Sequence, residues 1–133
     1  MIEINNLTTV SINEEFLKKI SEKVLKREKQ ENKNLSIALV GQGRIRELNK
    51  KYRGKNRVTD VLSFPGNGLG EIVICLREVK KNAKRFGSTF EKELARVLIH
   101  GILHLLGYNH EKSEEEAKKM REKEEYYLSQ IYG

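Results

Sequence analysis

HGILHLLGYNH, residues 100–110, contains all three histidines of the chain. His100 and His104 are four residues apart in an apolar run, so on a helix both imidazoles project from one face, about 6 Å apart along the axis. Gly107 can adopt the left-handed conformation that ends a helix, and the chain can then turn back and present His110 from another direction. Three neutral nitrogens arranged in this way can bind one divalent ion and leave a fourth position for water. The stretch therefore predicts a helix that ends in a metal-binding turn.

The residue at position 101 separates this pattern from that of metal-dependent proteases. Metzincins read H-E-x-x-H-x-x-G-x-x-H, and the glutamate takes a proton from the metal-bound water. The chain has Gly101 in place of that glutamate, while the histidines and Gly107 match. A metallopeptidase-like hydrolase is therefore an alternative that needs a base from elsewhere in the chain. The simplest alternative is a core histidine pair and one surface histidine, and the spacing of all three favours the metal site over it.

The length and composition are those of one small domain, which we assign to residues 1–133. Of its 133 residues 38% are hydrophobic and 34% are charged, which indicates a small core and a strongly ionised surface. No stretch approaches the ~20 apolar residues of a membrane span, and the first residues lack the pattern of a secretory signal. The single cysteine, Cys75, has no partner for an internal disulfide and is predicted to be a buried, inert thiol. Together these features predict a cytoplasmic protein with no membrane partner.

The net charge of +7 is concentrated ahead of the histidines. Residues 41–57 contain seven basic residues and one acidic residue, Glu47. Such a surplus favours a polyanionic partner, with a solvated Lys/Arg face as the common alternative. No aromatic-rich motif accompanies it, so base stacking of the kind used by RNA-binding sheets is not predicted. The residues predicted to contact such a polyanion are Arg46, Lys50, Lys51, Lys55 and Arg57.

Hydrophobic periodicity predicts an α+β fold, a small mixed sheet of about four strands with about five helices. The predicted strands are Ile2–Asn6, Leu35–Val40, 59–64 and 69–75, and the last two are expected to form a hairpin.

Helices are predicted at 11–29, from 43, at 76–86, from 88 and at 113–131. Ser11 and Ser88 have capping-box spacing and are expected to begin the first and fourth of these. The helix that starts near residue 43 is expected to turn Ile45, Leu48 and Tyr52 inward. The metal site is expected on the fourth helix and the turn that follows it.

Two well-separated motifs stand in this order in the chain: LNKKYRGKNRVTDVLSFP at 48–65 and HGILHLLGYNH at 100–110, with the strand sequence LGEIVIC between them. Together they resemble the YbeY family of bacterial metal-dependent endoribonucleases. The resemblance implies that His100, His104 and His110 bind one divalent metal ion, Zn²⁺ above all, and that Arg53 is the catalytic residue. It implies a zinc-dependent endoribonuclease that cuts single-stranded RNA in ribosomal RNA maturation and ribosome quality control.

The resemblance also implies partners, namely ribosomal RNA, the small ribosomal subunit and a ribosome-assembly GTPase. With RNA as the polyanion, the five basic residues named above are predicted to bind RNA. Two positions depart from the family pattern, since Asn109 and Glu71 stand where the family commonly has aspartate. Ser63, Glu71 and Asn109 are expected to contact the substrate or to support the metal ligands, with Glu71 as the candidate carboxylate base. A non-catalytic, metal-stabilised ribosome-assembly factor is a further alternative, because an open coordination position shows capacity for chemistry and not turnover.

Overall fold

The computed structural model describes residues 1–132, and Gly133, the last residue of the predicted domain, lies outside the described residues. The strands of this part of the chain are β1 (Ile2–Asn6), β2 (Leu35–Val40), β3 (Val61–Pro65) and β4 (Gly70–Cys75). Its helices are α1 (Glu14–Arg27), α2 (Gln42–Arg53), α3 (Leu76–Arg85), α4 (Phe90–Leu105) and α5 (Glu114–Tyr132). None of these helices is both long and apolar enough to cross a membrane. The predicted α+β class is confirmed.

The four strands form one mixed sheet in the order β1-β2-β4-β3. Strands β1, β2 and β4 are parallel, and β3 runs antiparallel to β4 with Ser63 opposite Ile72. The predicted hairpin is therefore confirmed. Strand β3 lies at the edge, where Pro65, which has no backbone N–H, removes no interior ladder bond.

Alternate residues of the central strands face two separate hydrophobic clusters. Ile37 and Ile72 belong to the larger cluster, which they form with side chains of α1, α3, α4 and α5. Val73 and Cys75 face the other way, toward the smaller cluster that includes Ile45 of α2. Cys75 is fully buried, and this burial raises the pKa of its thiol, as expected for an inert cysteine.

Helix α4 lies at the centre of the larger cluster. Its residues Leu98, Ile99 and Ile102 have no exposed surface, and α1, α3, α5 and β3 all contact the helix. A helix enclosed in this way has a fixed position on the sheet. Its C-terminal turns, which carry two of the histidines, are therefore fixed as well.

The structure corrects the predicted starts of two helices. Asn13, and not Ser11, caps α1, since its side chain accepts a hydrogen bond from the backbone N–H three residues further on. Thr89, and not Ser88, caps α4 in the same way. In both cases a second residue of capping chemistry stands next to or near the predicted one, and the register of the first turn decides between them.

Glu28, directly after α1, joins three distant parts of the chain. Its carboxylate accepts hydrogen bonds from the hydroxyl groups of Tyr108 (3.0 Å) and Tyr127 and from the ammonium of Lys123 (3.2 Å). Burial alone would raise the pKa of Glu28, but these hydrogen bonds together outweigh it and hold the pKa below its ordinary value. Burial and the bond to Glu28 raise the pKa of Tyr108 to about 12. Glu28 thus ties α1 and α5 to the turn that follows α4.

We expect Glu28→Gln to lower the free energy of unfolding by about 1–3 kcal/mol at neutral pH, because a buried charged acceptor is lost. The folded-state pKa of Glu28 is below its ordinary value of 4.5, so its stabilisation is complete above that pH and disappears as the pH falls through the folded-state pKa. Urea unfolding of the two proteins should therefore give curves that converge in acid. A difference that stays constant with pH would contradict this role, and Glu31→Gln, which changes an exposed carboxylate, serves as the control.

Candidate active site

The C-terminal end of α4 places His100 and His104 on one face of the helix. Beyond Leu105, the backbone N–H groups of the next three residues donate to carbonyls of the last helical turn at 3.0–3.1 Å. Gly107 has φ +103°, a conformation that side-chain-bearing residues rarely adopt, and the predicted glycine stop is confirmed. The reversal that it creates brings His110 back toward the helix.

The three histidine rings are neighbours. The ring centroids of His100 and His110 are 5.3 Å apart, and those of His104 and His110 are 6.3 Å apart. Three imidazoles on one tetrahedral zinc have centroids roughly 5 Å apart, given a Zn–N bond of about 2.0 Å. In residues 1–132 no three His, Cys, Asp or Glu side chains already have the geometry of a ligand set. The donors fit a zinc-type ion once the rings of His104 and His110, both exposed, close by about 1 Å.

Glu124 of α5 is hydrogen-bonded to one ring nitrogen of His100, and the other ring nitrogen stays free. The two groups are joined by a 2.9 Å hydrogen bond between Nδ1 of His100 and Oε1 of Glu124. An ionised carboxylate can only accept, so the bond places the imidazole proton on Nδ1 and leaves Nε2 free. This carboxylate–histidine pair is the usual support of a metal-binding histidine.

A further ion pair fixes Glu124 in turn. Its second oxygen lies 3.5 Å from Arg96, and Arg96 donates to the buried Glu93 of the preceding turn at 3.0 Å. The hydrogen bond to Glu93 raises the pKa of Arg96. Sequence reasoning missed Glu124, because α5 carries glutamates at many positions and nothing local distinguishes this one from Glu122.

Asn109 shapes the turn that presents His110. Its Oδ1 accepts a hydrogen bond from the backbone N–H of Glu111 at 2.9 Å, which closes an Asx turn. An amide oxygen accepts this bond as a carboxylate would, so the change from the family's aspartate preserves the turn.

Arg53, the last residue of α2, faces the turn that contains His110. Gly54 follows it with φ +68° and ends the helix. The Nη2 atom of Arg53 lies 3.9 Å from Oε1 of Glu111, and the same oxygen lies 3.7 Å from Nε2 of His110. A single anionic oxygen therefore occupies the gap between a guanidinium and an imidazole. The Glu111 side chain is 66% exposed and is free to turn out of this gap.

One cleft of about 560 Å³ joins the end of α2, strand β3 and the turn after α4. It brings together the predicted metal ligands, the predicted catalytic arginine and two of the three predicted supporting residues. Its lining is formed by Tyr52, Arg53, Thr59, Asp60, Val61, Leu62, Ser63, Phe64, His100, His104, Asn109, His110 and Glu111.

The YbeY family model, described as Endoribonuclease YbeY, matches residues 3–132. The chain belongs to the YbeY family. The resemblance inferred from the two motifs is thus confirmed.

Relatives named Endoribonuclease YbeY match over most of the chain. An Endoribonuclease YbeY of Thermotoga neapolitana is 46% identical over 123 residues, which cover 90% of this chain and 83% of the relative. One from Thermodesulfovibrio yellowstonii is 52% identical over 105 residues, covering 73% of this chain and 66% of the relative. A solution structure of a Thermotoga maritima protein matches with a TM-score of 0.76 and 42% identity, covering 100% of this chain and 90% of the other.

Gly101 lets α4 of this YbeY-family chain lie directly on the sheet. The hydroxyl of Ser63 donates to the Gly101 carbonyl at 3.2 Å, and a Cβ at position 101 would lie 3.0 Å from a methyl group of Ile72. A side chain at this position, such as the glutamate of a metzincin, would therefore push against the sheet. The contacts of Gly101 argue against the metallopeptidase alternative, as does the absence of a glutamate at this position.

The structure does not bring Glu71 to the cleft. Glu71 is exposed on β4 and pairs with Phe64, while its neighbour Ile72 is the residue that faces α4. Because side chains alternate along a strand, Glu71 points to the opposite face of the sheet. It is not placed to act as the base at the histidines.

The residues predicted to bind RNA are exposed and lie on α2 and the loop that follows it. This loop is held by Asn49, whose side-chain amide donates to the carbonyl of Arg57 at 3.0 Å. The exposed set lies outside the cleft lining and consists of Arg46, Lys50, Lys51, Lys55 and Arg57.

Substitutions at Gly101 test the contact between α4 and the sheet. We expect Gly101→Ala to lower the free energy of unfolding by about 1–3 kcal/mol through overpacking, and Gly101→Glu to lower it further without creating peptidase activity. The matched control is Gly43→Ala in α2, where an added Cβ meets nothing within 4 Å and helix propensity should add about 0.5–1 kcal/mol. Urea unfolding gives the free energy of unfolding of all three variants. Equal effects of the two alanine substitutions would contradict the close contact at Gly101.

Proposed function

We propose that this chain is a metal-dependent endoribonuclease in which His100, His104 and His110 hold one divalent ion of the zinc type and Arg53 is the catalytic residue. Membership of a family described as Endoribonuclease YbeY supports cleavage of RNA. The observation that carries the assignment of roles is the Glu111 oxygen between Arg53 and His110. A phosphate oxygen has the same charge and a similar size, so the gap suits a phosphodiester.

The residues of the cleft, together with Glu124 bound to His100, have separate roles in cleavage. When bound, a divalent ion at the histidines supplies Lewis acidity and an activated water. Arg53 orients the phosphodiester with two parallel hydrogen bonds and stabilises the negative charge that develops as the bond breaks. Glu124 keeps the proton of His100 on Nδ1, which makes the other ring nitrogen available as a ligand. Ser63 and Asn109 support this arrangement from β3 and from the turn.

We extend the proposal to ribosomal RNA as the substrate, in RNA maturation and ribosome quality control in the cytoplasm. The small ribosomal subunit and a ribosome-assembly GTPase are the proposed partners. The support from this chain is its exposed basic surface, because seven basic residues against one acidic residue in 41–57 favour a phosphate backbone. Arg46, Lys50, Lys51, Lys55 and Arg57 are proposed to contact that backbone beside the cleft.

The metal assignment is tested by zinc titration of the purified protein in competition with a chelator. We expect one ion per chain, no stoichiometric binding by His104→Ala, and affinity about 10–100-fold weaker in Glu124→Gln, since the carboxylate that supports His100 loses its charge. Glu122→Gln is the matched control, because that side chain lies on the same helix and is 65% exposed. Absence of stoichiometric metal that persists on titration would overturn the assignment, and equal affinities of the two glutamine variants would remove Glu124 from it.

The role of Arg53 is tested by cleavage of single-stranded RNA with and without chelator. Arg53→Lys keeps the charge but loses the planar pair of donors, so it should bind RNA nearly as well and cleave more slowly. Arg53→Ala should reduce kcat by about 10²-fold or more. Arg44→Ala, at the exposed start of the same helix, is the control. Cutting that ignores the chelator and both substitutions would come from a contaminating nuclease and would favour the non-catalytic ribosome-assembly factor.

A further inference from the structure

Tyr52 lies on the wall of the cleft, although the sequence pattern predicts that it points inward. Its side chain is 59% exposed, and it lines the cleft beside Arg53 and the histidines. The other large apolar side chains that are well exposed in residues 1–132, such as Phe86, lie outside this lining. An aromatic ring held in water beside the reacting groups forgoes the burial that would stabilise it.

The Tyr52 ring is supported from one side and open on the other. It meets the ring of Phe64 edge to face, with centroids 5.3 Å apart and an interplanar angle of 62°. Phe64 is itself half-buried against the smaller hydrophobic cluster, so it forms a firm backing. The ammonium of Lys51 lies 5.3 Å from the Tyr52 centroid, at the end of a flexible, exposed side chain. Nothing rigid among the described contacts of Tyr52 covers the rest of the ring.

We propose that Tyr52 is a stacking position for one unpaired nucleobase of the RNA, adjacent to the phosphate that Arg53 holds. The inference rests on the proposed function, because it takes the cleft as the place of cleavage. Tyr52 and Arg53 are consecutive residues, so a base on the ring and a phosphate at the guanidinium belong to the same or neighbouring nucleotides. Lys51, displaced from the ring, remains close enough to meet the next phosphate.

The chemistry of stacking defines what this position accepts. Every nucleobase has a flat face, so stacking on one ring tolerates any base sequence. In a duplex both faces of each base are already covered by their neighbours, and only an unpaired nucleotide can offer one to the protein. Tyr52 therefore selects unpaired nucleotides without reading their sequence. The basic surface on α2 adds affinity that depends neither on pairing nor on sequence.

The test is an abasic scan on the full-length protein as purified. A short single-stranded DNA, which carries the same bases and phosphates but lacks the ribose 2′-hydroxyl, is made with one base removed at a time, and the affinity of each version is measured. We expect wild-type binding to weaken by roughly 5- to 100-fold at one or two positions, the range for loss of one stacked base. In Tyr52→Ala the intact strand should bind weakly by a similar factor, and removal of the same base should have no further effect.

Control variants separate stacking from packing and from charge. Tyr52→Phe keeps the flat ring and should bind like wild type, whereas Tyr52→Leu keeps apolar volume against Phe64 and should still lose affinity. Phe86 lies outside the cleft, is 62% exposed and is flanked by Arg85, so its ring resembles that of Tyr52 in exposure and charge. Phe86→Ala should leave the affinity for the strand unchanged. Lys50→Ala should weaken binding in a manner that flattens its salt dependence, while the loss in Tyr52→Ala should be the same at every salt concentration.

Three outcomes would overturn the stacking position: equal loss at every abasic position in wild type, full affinity in Tyr52→Leu, or an unchanged pattern of the scan in Tyr52→Ala. On single-stranded RNA the expected effect of Tyr52→Ala is a raised KM with a smaller change in kcat. The DNA scan measures binding without cleavage. It can therefore support the role of Tyr52 even if the tests of the metal site or of Arg53 reject the proposed function. Normal chelator-sensitive cleavage with no position dependence in the scan would instead reject Tyr52 alone.

Discussion

The rest of the structure depends on the close contact between α4 and the sheet at Gly101. Without a side chain at this position, the helix approaches until the Ser63 hydroxyl meets its backbone carbonyl and an Ile72 methyl lies 3.0 Å from the place of a Cβ. The helix is then enclosed by α1, α3, α5 and β3, so neither its tilt nor its rotation can vary freely. The positions of His100 and His104, one turn apart on this helix, are therefore fixed as well. A site on a loop would not hold their rings so closely in register.

Local features of the sequence predicted the parts of the molecule that local physics decides. The strands β1 and β2, the glycine that ends α4 and the spacing of His100 and His104 follow from periodicity and backbone preference, and the structure agrees with them. Helix starts were less accurate because Asn13 and Thr89 compete with nearby serines of the same capping chemistry. The inward orientation of Tyr52 was wrong, because its ring lies against Phe64 of the edge strand and remains 59% exposed.

The parts of the site that sequence reasoning missed come from long-range contacts. Glu124 and Glu28 are ordinary surface glutamates by their local sequence, and only tertiary packing brings one to His100 and the other to Tyr108. Glu71 shows the opposite error, since it is close to the motif in sequence but on the other face of the sheet. Spacing along the chain finds groups that share one element, and it carries little information on which elements meet.

The position of helix α5 along the chain determines when the contacts of His100 and Glu28 can form. It supplies Glu124 to His100, and Lys123 and Tyr127 to Glu28, yet it follows every other described element in the chain. The three histidines are synthesised before α5, so a partly synthesised chain has them without the carboxylate that orients His100 and without two of the three partners of Glu28. The hydrogen bonds that hold His100 and Glu28 are therefore complete only after α5 has docked.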